Sequence, residues 1–266
     1  MSKVEFATIA SGSKGNCVFI GTENTKILVD AGLSGKKVEQ GLSELGLTGQ
    51  DIDAIFVTHE HNDHVDGVGI LSRRYDIPVY ATEGTWDNMP SKVGEIRYCN
   101  KNAVYAGEPC VINDIALSPF EIPHDAAQPV GYRISAFDKT VTIATDIGHI
   151  TDKILENTRD CDLLLLESNH DVEMVHNGPY PYPLKRRVLS DFGHLSNENC
   201  ANALREAFST RLKYILLGHL SNENNTPMLA YNTVKGILEN EGMVLGGDVN
   251  MYVAAPFGVK RKIELI

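Results

Sequence analysis

Short hydrophobic segments, some alternating with polar residues and some continuous, recur along the chain and predict many β-strands. Residues 4–9 alternate, and the glycine- and serine-rich residues 11–16 predict a tight turn before the next strand. The other strands are predicted at residues 17–20, 26–30, 54–58, 79–82, 115–121, 130–136, 141–145, 162–166 and 213–217.

Four segments have the spacing of amphipathic helices. Residues 35–46 place Val38, Leu42 and Leu45 on one face, and the other three helices are predicted at 64–75, 197–208 and 226–239. Strand-rich hairpins are followed by alternating helices and strands, in two similar halves. This order predicts an α/β (α+β) fold, a four-layer αββα sandwich with helices outside two packed sheets. No low-complexity linker interrupts the chain, so we expect one domain over residues 1–266.

The composition is that of a globular protein, with 42% hydrophobic and 22% charged residues. No apolar run approaches the roughly 18 residues of a membrane span, and the first residues do not resemble a secretory signal. We therefore expect a cytoplasmic protein without membrane contact. The five scattered cysteines disfavour both a disulfide framework and a thiolate metal site.

The formal net charge of −11 argues against a protein that coats nucleic acid electrostatically. However, carboxylates that bind metal are neutralised by it, and local basic clusters can guide a polyanion on an acidic protein. Net charge therefore does not decide the substrate.

Three histidines and two carboxylates follow the strand predicted at 54–58, in the sequence His59-Glu60-His61-Asn62-Asp63-His64. Imidazole and carboxylate together suit zinc, manganese or iron. The alternative is a polar turn that caps the next helix, with Asp63 as its N-terminal residue. A His-Glu-x-x-His protease helix is excluded because position 63 is Asp.

The pattern His-x-His-x-Asp-His after a buried strand resembles the signature of the metallo-β-lactamase superfamily. The family's other motifs match, in order, Asp30, His124, Asp146 and His219. The resemblance implies the metallo-β-lactamase fold and two divalent metal ions. One ion would bind His59, His61 and His124, the second would bind Asp63, His64 and His219, and Asp146 would bridge them. Asp30 would support an imidazole ligand, or else simply cap a strand end.

A second histidine motif precedes the last predicted ligand. Gly193-His194-Leu195-Ser196-Asn197 recurs almost unchanged as Gly218-His219-Leu220-Ser221-Asn222. His194 resembles in position the general acid of ribonuclease Z-like phosphodiesterases, so the resemblance implies that His194 and Asp63 take part in catalysis. The alternative is that Ser196 or Asn197 caps the helix at 197–208 and His194 is merely exposed.

Four kinds of segment resemble one branch of the superfamily, the WalJ/YycJ-type exonucleases. They are residues 10–16, 123–126 and 167–171 and the two Gly-His-Leu-Ser-Asn motifs. The resemblance implies a phosphodiester hydrolase that degrades DNA from the 5′ end with a water molecule activated by two metal ions. A small-molecule hydrolase of the same fold, such as a cyclic phosphodiesterase, thioesterase or lactonase, is the alternative. A regulatory protein with a structural metal site is disfavoured by the complete ligand set.

One segment offers contacts for DNA. Tyrosines can stack on unpaired bases and basic side chains can contact phosphates, and these residue types are interleaved at Tyr180, Tyr182, Lys185, Arg186 and Arg187. The alternative is a rigid proline-rich loop whose basic triplet opens a helix. We predict that the substrate is DNA. The sequence does not indicate an oligomeric state.

Overall fold

The computed structural model describes residues 3–247 and 249–266. Met1 and Ser2, which begin the N-terminal segment considered above, lie outside the described residues. The chain divides into two compact units. The first unit comprises Met1–Pro119, Ala126–Lys139 and Ala255–Ile266, and the second comprises Phe120–Asp125 and Thr140–Ala254.

The described residues form strands and α-helices throughout. The strands are β1 (Val4–Ala10), β2 (Cys17–Gly21), β3 (Lys26–Val29), β4 (Ala54–Phe56), β5 (Val79–Ala81), β6 (Lys101–Ala103), β7 (Cys110–Ile112), β8 (Ile115–Glu121), β9 (Val130–Ala136), β10 (Lys139–Ala144), β11 (Leu163–Glu167), β12 (Tyr214–Gly218), β13 (Asn250–Val253) and β14 (Lys262–Leu265). The α-helices are α1 (Gly35–Glu44), α2 (Asn62–Val65), α3 (Val68–Tyr75), α4 (Glu83–Asp87), α5 (Asp152–Thr158), α6 (Val172–Asn177), α7 (Tyr182–Val188), α8 (Asn197–Ala207) and α9 (Pro227–Asn240). Short 3₁₀ helices occupy Gly49–Asp51, Ser91–Val93 and Tyr98–Asn100.

The first unit contains a seven-stranded sheet in the order β14-β1-β2-β3-β4-β5-β6. The strands from β14 to β3 pair antiparallel, and those from β3 to β6 pair parallel. Apolar residues of α1 and α3, such as Val38, Leu42 and Leu71, join the sheet in one buried core. Because β3 and β4 are parallel neighbours, the residues that follow them emerge at the same edge of the sheet.

The second unit contains the parallel strands β10, β11, β12 and β13 as neighbours in that order. All five residues of β11 are buried, as expected for a central parallel strand. Helices α8 and α9 cover the strands with small and branched residues, including Ala201, Leu204 and Val234. The carboxyl ends of β10, β11 and β12 therefore lie side by side, and Asp146, Glu167 and His219 lie at these ends.

The predicted α/β class is confirmed, because each unit has a sheet with helices packed on it. The predicted strands lie within two residues of the observed ones. The helix predicted at 64–75 was wrong in one respect: it is two helices, α2 and α3, separated at Asp66 and Gly67. The Gly67 N–H donates to the Ala31 carbonyl oxygen at 2.8 Å, while the Asp63 carbonyl oxygen accepts from the Asn16 N–H at 2.8 Å, so the helical hydrogen bond between Gly67 and Asp63 is replaced.

Helices α4, α5, α6 and α7 and strands β6, β7 and β13 were not predicted. They have only three to seven residues each, which is too short for a clear periodicity. In the described part of the chain no helix has both the length and the apolarity that a membrane crossing requires.

Candidate metal centre

The histidine loop of the first unit begins immediately after β4 and is braced by β9. The hydroxyl of the fully buried Tyr132 donates a hydrogen bond to the carbonyl oxygen of Val57 at 2.8 Å. The backbone N–H of Val130 donates to the carbonyl oxygen of Thr58 at 3.0 Å. These two contacts fix the backbone just before His59.

Three imidazole rings gather in this loop. The ring centroid of His59 lies 4.6 Å from that of His61 and 4.1 Å from that of His64. His59 and His64 are fully buried, whereas His61 and Asp63 are partly exposed at the start of α2. Asp63 thus lies in the first turn of a helix, as the capping alternative predicted, and its carboxylate is also 3.6 Å from Nε2 of His64. Neutral imidazoles at this spacing are suited to bind a metal ion.

Asp30, just after β3, organises the two buried imidazoles. Its carboxylate accepts hydrogen bonds from the Thr58 backbone N–H at 2.8 Å, the Thr58 hydroxyl at 2.9 Å and Nδ1 of His64 at 2.8 Å. Because the Thr58 hydroxyl has one proton and gives it to Asp30, the hydroxyl oxygen accepts from Nδ1 of His59 at 3.0 Å. Both rings then carry their proton on Nδ1, so that Nε2 of each bears the lone pair that a metal ligand needs.

Asn16 is a site residue that the sequence analysis placed only in a turn motif. Its side-chain amide donates to Nε2 of His64 at 3.0 Å and to the Gly12 carbonyl oxygen at 3.2 Å. Its backbone N–H donates to the Asp63 carbonyl oxygen at 2.8 Å. The turn that precedes β2 therefore holds the Asp63–His64 peptide in place, and the indicative signal was an asparagine at the end of a glycine-rich turn.

In the second unit, four ionisable side chains converge at the ends of β10, β11 and β12. One ligand-type atom from each of Asp146, Glu167, His194 and His219 lies within 4.8 Å of the others. Nδ1 of His219 is 3.0 Å from Oδ1 of Asp146 and 3.2 Å from Oε1 of Glu167. Two carboxylates and two imidazoles form a donor set that fits a divalent metal ion.

Glu167 is the functional residue that the sequence analysis missed. It is fully buried, and its Oε1 accepts from Nδ1 of His194 at 2.8 Å. Its Oε2 accepts the backbone N–H groups of Ile147 at 2.7 Å and Leu195 at 3.1 Å. Burial alone would raise the pKa of Glu167, but the charge and hydrogen bond of His194 and the hydrogen bond of His219 outweigh it and lower that pKa. The signal was a lone carboxylate at the end of the run Leu163–Leu166.

His194 is held on one side and partly open on the other. Its Nδ1–H donates to Glu167, and 16% of its side chain is exposed, compared with 3% for Asp146 and 2% for His219. The alternative reading of this motif is correct in one part, since the Ser196 side chain caps α8 by accepting the Asn199 N–H at 3.2 Å. His194 is nevertheless part of the ionisable cluster and not a simple surface residue.

His124 belongs to the second unit and is fixed by a backbone carbonyl group. Its Nδ1–H donates to the Gly193 carbonyl oxygen at 3.2 Å, which directs Nε2 to within 3.7 Å of Oδ1 of Asp146. Burial lowers the pKa of His124, although the charge of Asp146 opposes this shift. The neutral ring is the form that a metal ion binds.

Three predicted site residues share an unusual backbone conformation. Asp30, Asp146 and His219 each follow a parallel strand closely, and their φ angles are 60°, 61° and 52°. This left-handed conformation is uncommon for residues other than glycine, and Asp and His are among those that adopt it most readily. It turns each side chain away from the direction of its strand.

The predicted DNA-contacting residues divide into two groups. Tyr180, Tyr182, Lys185 and Arg186 line a cavity of about 500 Å³ together with His176 and Leu189. Tyr182 is 73% exposed and begins α7, so the basic triplet lies in the last turn of a helix and does not open one, as the alternative had expected. Arg187 does not line the cavity but pairs with Asp125.

Known proteins resemble this chain in sequence and in fold. The sequence profile of the β-lactamase superfamily domain matches residues 25–215. A protein of Streptococcus pneumoniae named Exodeoxyribonuclease WalJ is 41% identical over 260 residues, which are 96% of this chain and 97% of that protein. Exodeoxyribonuclease YycJ of Bacillus anthracis is 41% identical over 243 residues, which are 91% of this chain and 92% of that protein.

Among solved structures, the metallo-β-lactamase fold protein YhfI from Bacillus subtilis matches with a TM-score of 0.72 and 16% identity over the whole of both chains. This likeness confirms the predicted metallo-β-lactamase fold. The profile match and the two relatives cover most of the chain at an identity that defines a family. The chain therefore belongs to the β-lactamase superfamily and, within it, to the exodeoxyribonuclease WalJ/YycJ family.

Proposed function

We propose that this protein is a metal-dependent phosphodiester hydrolase that degrades DNA from the 5′ end. The observation that carries the proposal is the cluster of Asp146, Glu167, His194 and His219, in which one imidazole is partly exposed and held by a buried carboxylate. Family membership supports DNA as the substrate, because both relatives are named exodeoxyribonucleases. Such a substrate agrees with the predicted cytoplasmic location.

We propose two divalent ions, of zinc, manganese or iron, with the ligands that the family motifs indicate. The first ion would bind His59, His61 and His124, the second would bind Asp63, His64 and His219, and Asp146 would bridge them. The order of the motifs along the sequence supports this grouping. The hydrogen bonds of His59, His64 and His124 support it too, since each ring uses Nδ1–H internally. Bound ions would acidify a water molecule and neutralise the charge that develops at phosphorus.

Residues of the chain itself would transfer the proton and position the attacking water in the proposed reaction. His194 would donate a proton from Nε2 to the 3′-oxygen that leaves when the P–O3′ bond breaks. Glu167 holds the ring by accepting from Nδ1, so Nε2 is the nitrogen that would give the proton. Asp63, whose side chain is 26% exposed, would both bind metal and orient the attacking water.

We propose that the cavity beside α7 binds unpaired nucleotides near the cleaved bond. Tyr180 and Tyr182 offer ring faces for base stacking, and Lys185 and Arg186 bring positive charge to an otherwise acidic protein. Val188, the last residue of α7, accepts the backbone N–H of His194 at 3.0 Å, so this helix lies close to the proposed general acid.

The test is to incubate metal-loaded protein with end-labelled duplex DNA, single-stranded DNA, RNA and bis-p-nitrophenyl phosphate. We expect DNA to be shortened from the 5′ end, with release of mononucleotides. Asp146→Asn should lose both activity and bound metal. Turnover of the small ester without any nucleic-acid cleavage would refute the nuclease proposal and favour the small-molecule hydrolase.

A further inference from the structure

Arg187 forms a two-pronged ion pair with Asp125. Its Nε donates to Oδ2 at 2.5 Å and its Nη2 donates to Oδ1 at 2.9 Å. Both side chains are partly exposed, at 47% and 34%. An exposed pair of this kind adds little to folding stability, but its planar geometry fixes the relative orientation of the two segments that carry it.

The segment that carries Asp125 also carries His124, and it is tied to residues 187–193 at further points. The Asp125 N–H donates to the Phe192 carbonyl oxygen at 3.1 Å. Nδ1 of His124 donates to the Gly193 carbonyl oxygen at 3.2 Å. Together with the Arg187–Asp125 ion pair, these contacts hold His124 and Asp125 at three points to the stretch that runs from α7 to His194.

That stretch is itself a tight turn. The Gly193 N–H donates to the Ser190 carbonyl oxygen at 2.9 Å, and the His194 N–H donates to that of Val188 at 3.0 Å. A Cβ atom at Gly193 would lie 2.2 Å from the carbonyl oxygen of Arg187. Arg187 therefore stands at one end of a compact turn and His194 stands at the other.

We propose that Arg187 is a positioning residue that keeps His124 and His194 at their working separation, with ring centroids 5.4 Å apart. This inference depends on the proposed function, because it assigns His124 to metal binding and His194 to proton donation. It also replaces the expectation that Arg187 contacts DNA phosphates, since Nε and Nη2 already point at Asp125. The exposed face of α7 lines the proposed nucleotide cavity. Because the Arg187–Asp125 ion pair joins α7 to the segment that carries His124, a shift of α7 would also move that segment.

The experiment compares Arg187→Lys with Asp125→Asn. The lysine keeps the positive charge but cannot form the two-pronged ion pair. Turnover of bis-p-nitrophenyl phosphate and of DNA is measured at saturating metal, and metal affinity is measured by chelator competition. We expect both variants to lower kcat for DNA by about 10- to 100-fold, with little change in KM for DNA. For the small ester kcat should fall less, through His124 alone, because its leaving group needs no proton from His194. The double variant should be no worse than either single one.

Arg205→Ala is the matched control, because it removes an exposed ion pair with Glu241 elsewhere in the same unit and should leave kcat unchanged. Circular dichroism and thermal melting show whether each variant is folded. A raised KM for DNA with normal turnover of the small ester would overturn the inference and return Arg187 to phosphate contact. Failure of the wild-type protein to cleave DNA would refute the proposed nuclease function instead, while the small ester would still report on Arg187.

Discussion

Oε1 of Glu167 lies 2.8 Å from Nδ1 of His194, and the two residues belong to opposite environments. Glu167 is fully buried and anchored by two backbone N–H groups, whereas His194 is partly exposed. Because the buried Glu167 carboxylate is ionised and held rigidly, it keeps the His194 imidazole in one orientation. This relationship explains how a histidine on a loop is held in one orientation, as its proposed role as a general acid requires.

Replacement of His194 should lower the turnover of two substrates to different extents, depending on the leaving group that each releases. In His194→Ala, we expect turnover of DNA to fall by about 100-fold or more, because the departing 3′-oxygen needs a proton. Turnover of bis-p-nitrophenyl phosphate should fall far less, since p-nitrophenolate leaves without protonation. Metal content, measured by elemental analysis, should stay near that of the wild type. An equal loss on both substrates would contradict the general-acid role.

Glu167 should make the stability of the metal-free protein depend on pH. Its pKa in the folded protein is lowered from the ordinary 4.5, so its ionised form stabilises the fold at neutral pH. That contribution is complete above the unfolded-state value and declines as the pH falls from about 5 toward the folded-state value. In urea titrations of chelator-treated protein, the stability difference between wild type and Glu167→Gln should be constant near pH 7 and shrink below pH 5. A difference that grows on acidification would show that the pKa is raised.

Asp30 should matter for metal affinity more than for chemistry. Asp30→Asn places an amide where three donors now point, which disturbs the tautomers of His59 and His64. We expect metal affinity to fall by about 10- to 100-fold, with activity largely recovered at high metal concentration. Asp53→Asn is the control, because Asp53 also accepts a backbone N–H at a strand end, that of Lys26. Equal losses of metal affinity in both variants would show that Asp30 only caps the end of a strand.

Gly32 should tolerate no side chain. A Cβ atom there would lie 1.6 Å from the carbonyl oxygen of Asp63, so Gly32→Ala must displace the histidine loop. We expect a loss of about 2 kcal/mol or more in the free energy of unfolding, together with weaker metal binding. Gly236→Ala in α9 is the contrast, since a Cβ atom there meets open space, and it should stabilise the protein by about 0.5–1 kcal/mol. Chemical denaturation of both variants checks this pair.

The sequence allowed the α/β class and most strands to be predicted, because strands buried in a parallel sheet appear as apolar runs such as Leu163–Leu166. The sequence did not allow contacts between residues that are far apart along the chain to be predicted. Arg187 looked like a phosphate ligand because its partner Asp125 is 62 residues away along the chain. Glu167 opens the segment 167–171 that resembles the WalJ/YycJ branch, but it was given no role because it continues an apolar strand. Neither relationship leaves a periodic signal.

The left-handed backbone at Asp30, Asp146 and His219 limits how this centre can be altered. Alanine at these positions would remove a functional side chain and also impose a conformational penalty of about 1 kcal/mol or more, so alanine scanning would overstate the chemical importance of all three. Asparagine accepts this conformation more readily and isolates the chemistry. The same constraint means that substitutions designed to change the metal preference are better made at the proposed ligands whose φ angles are negative.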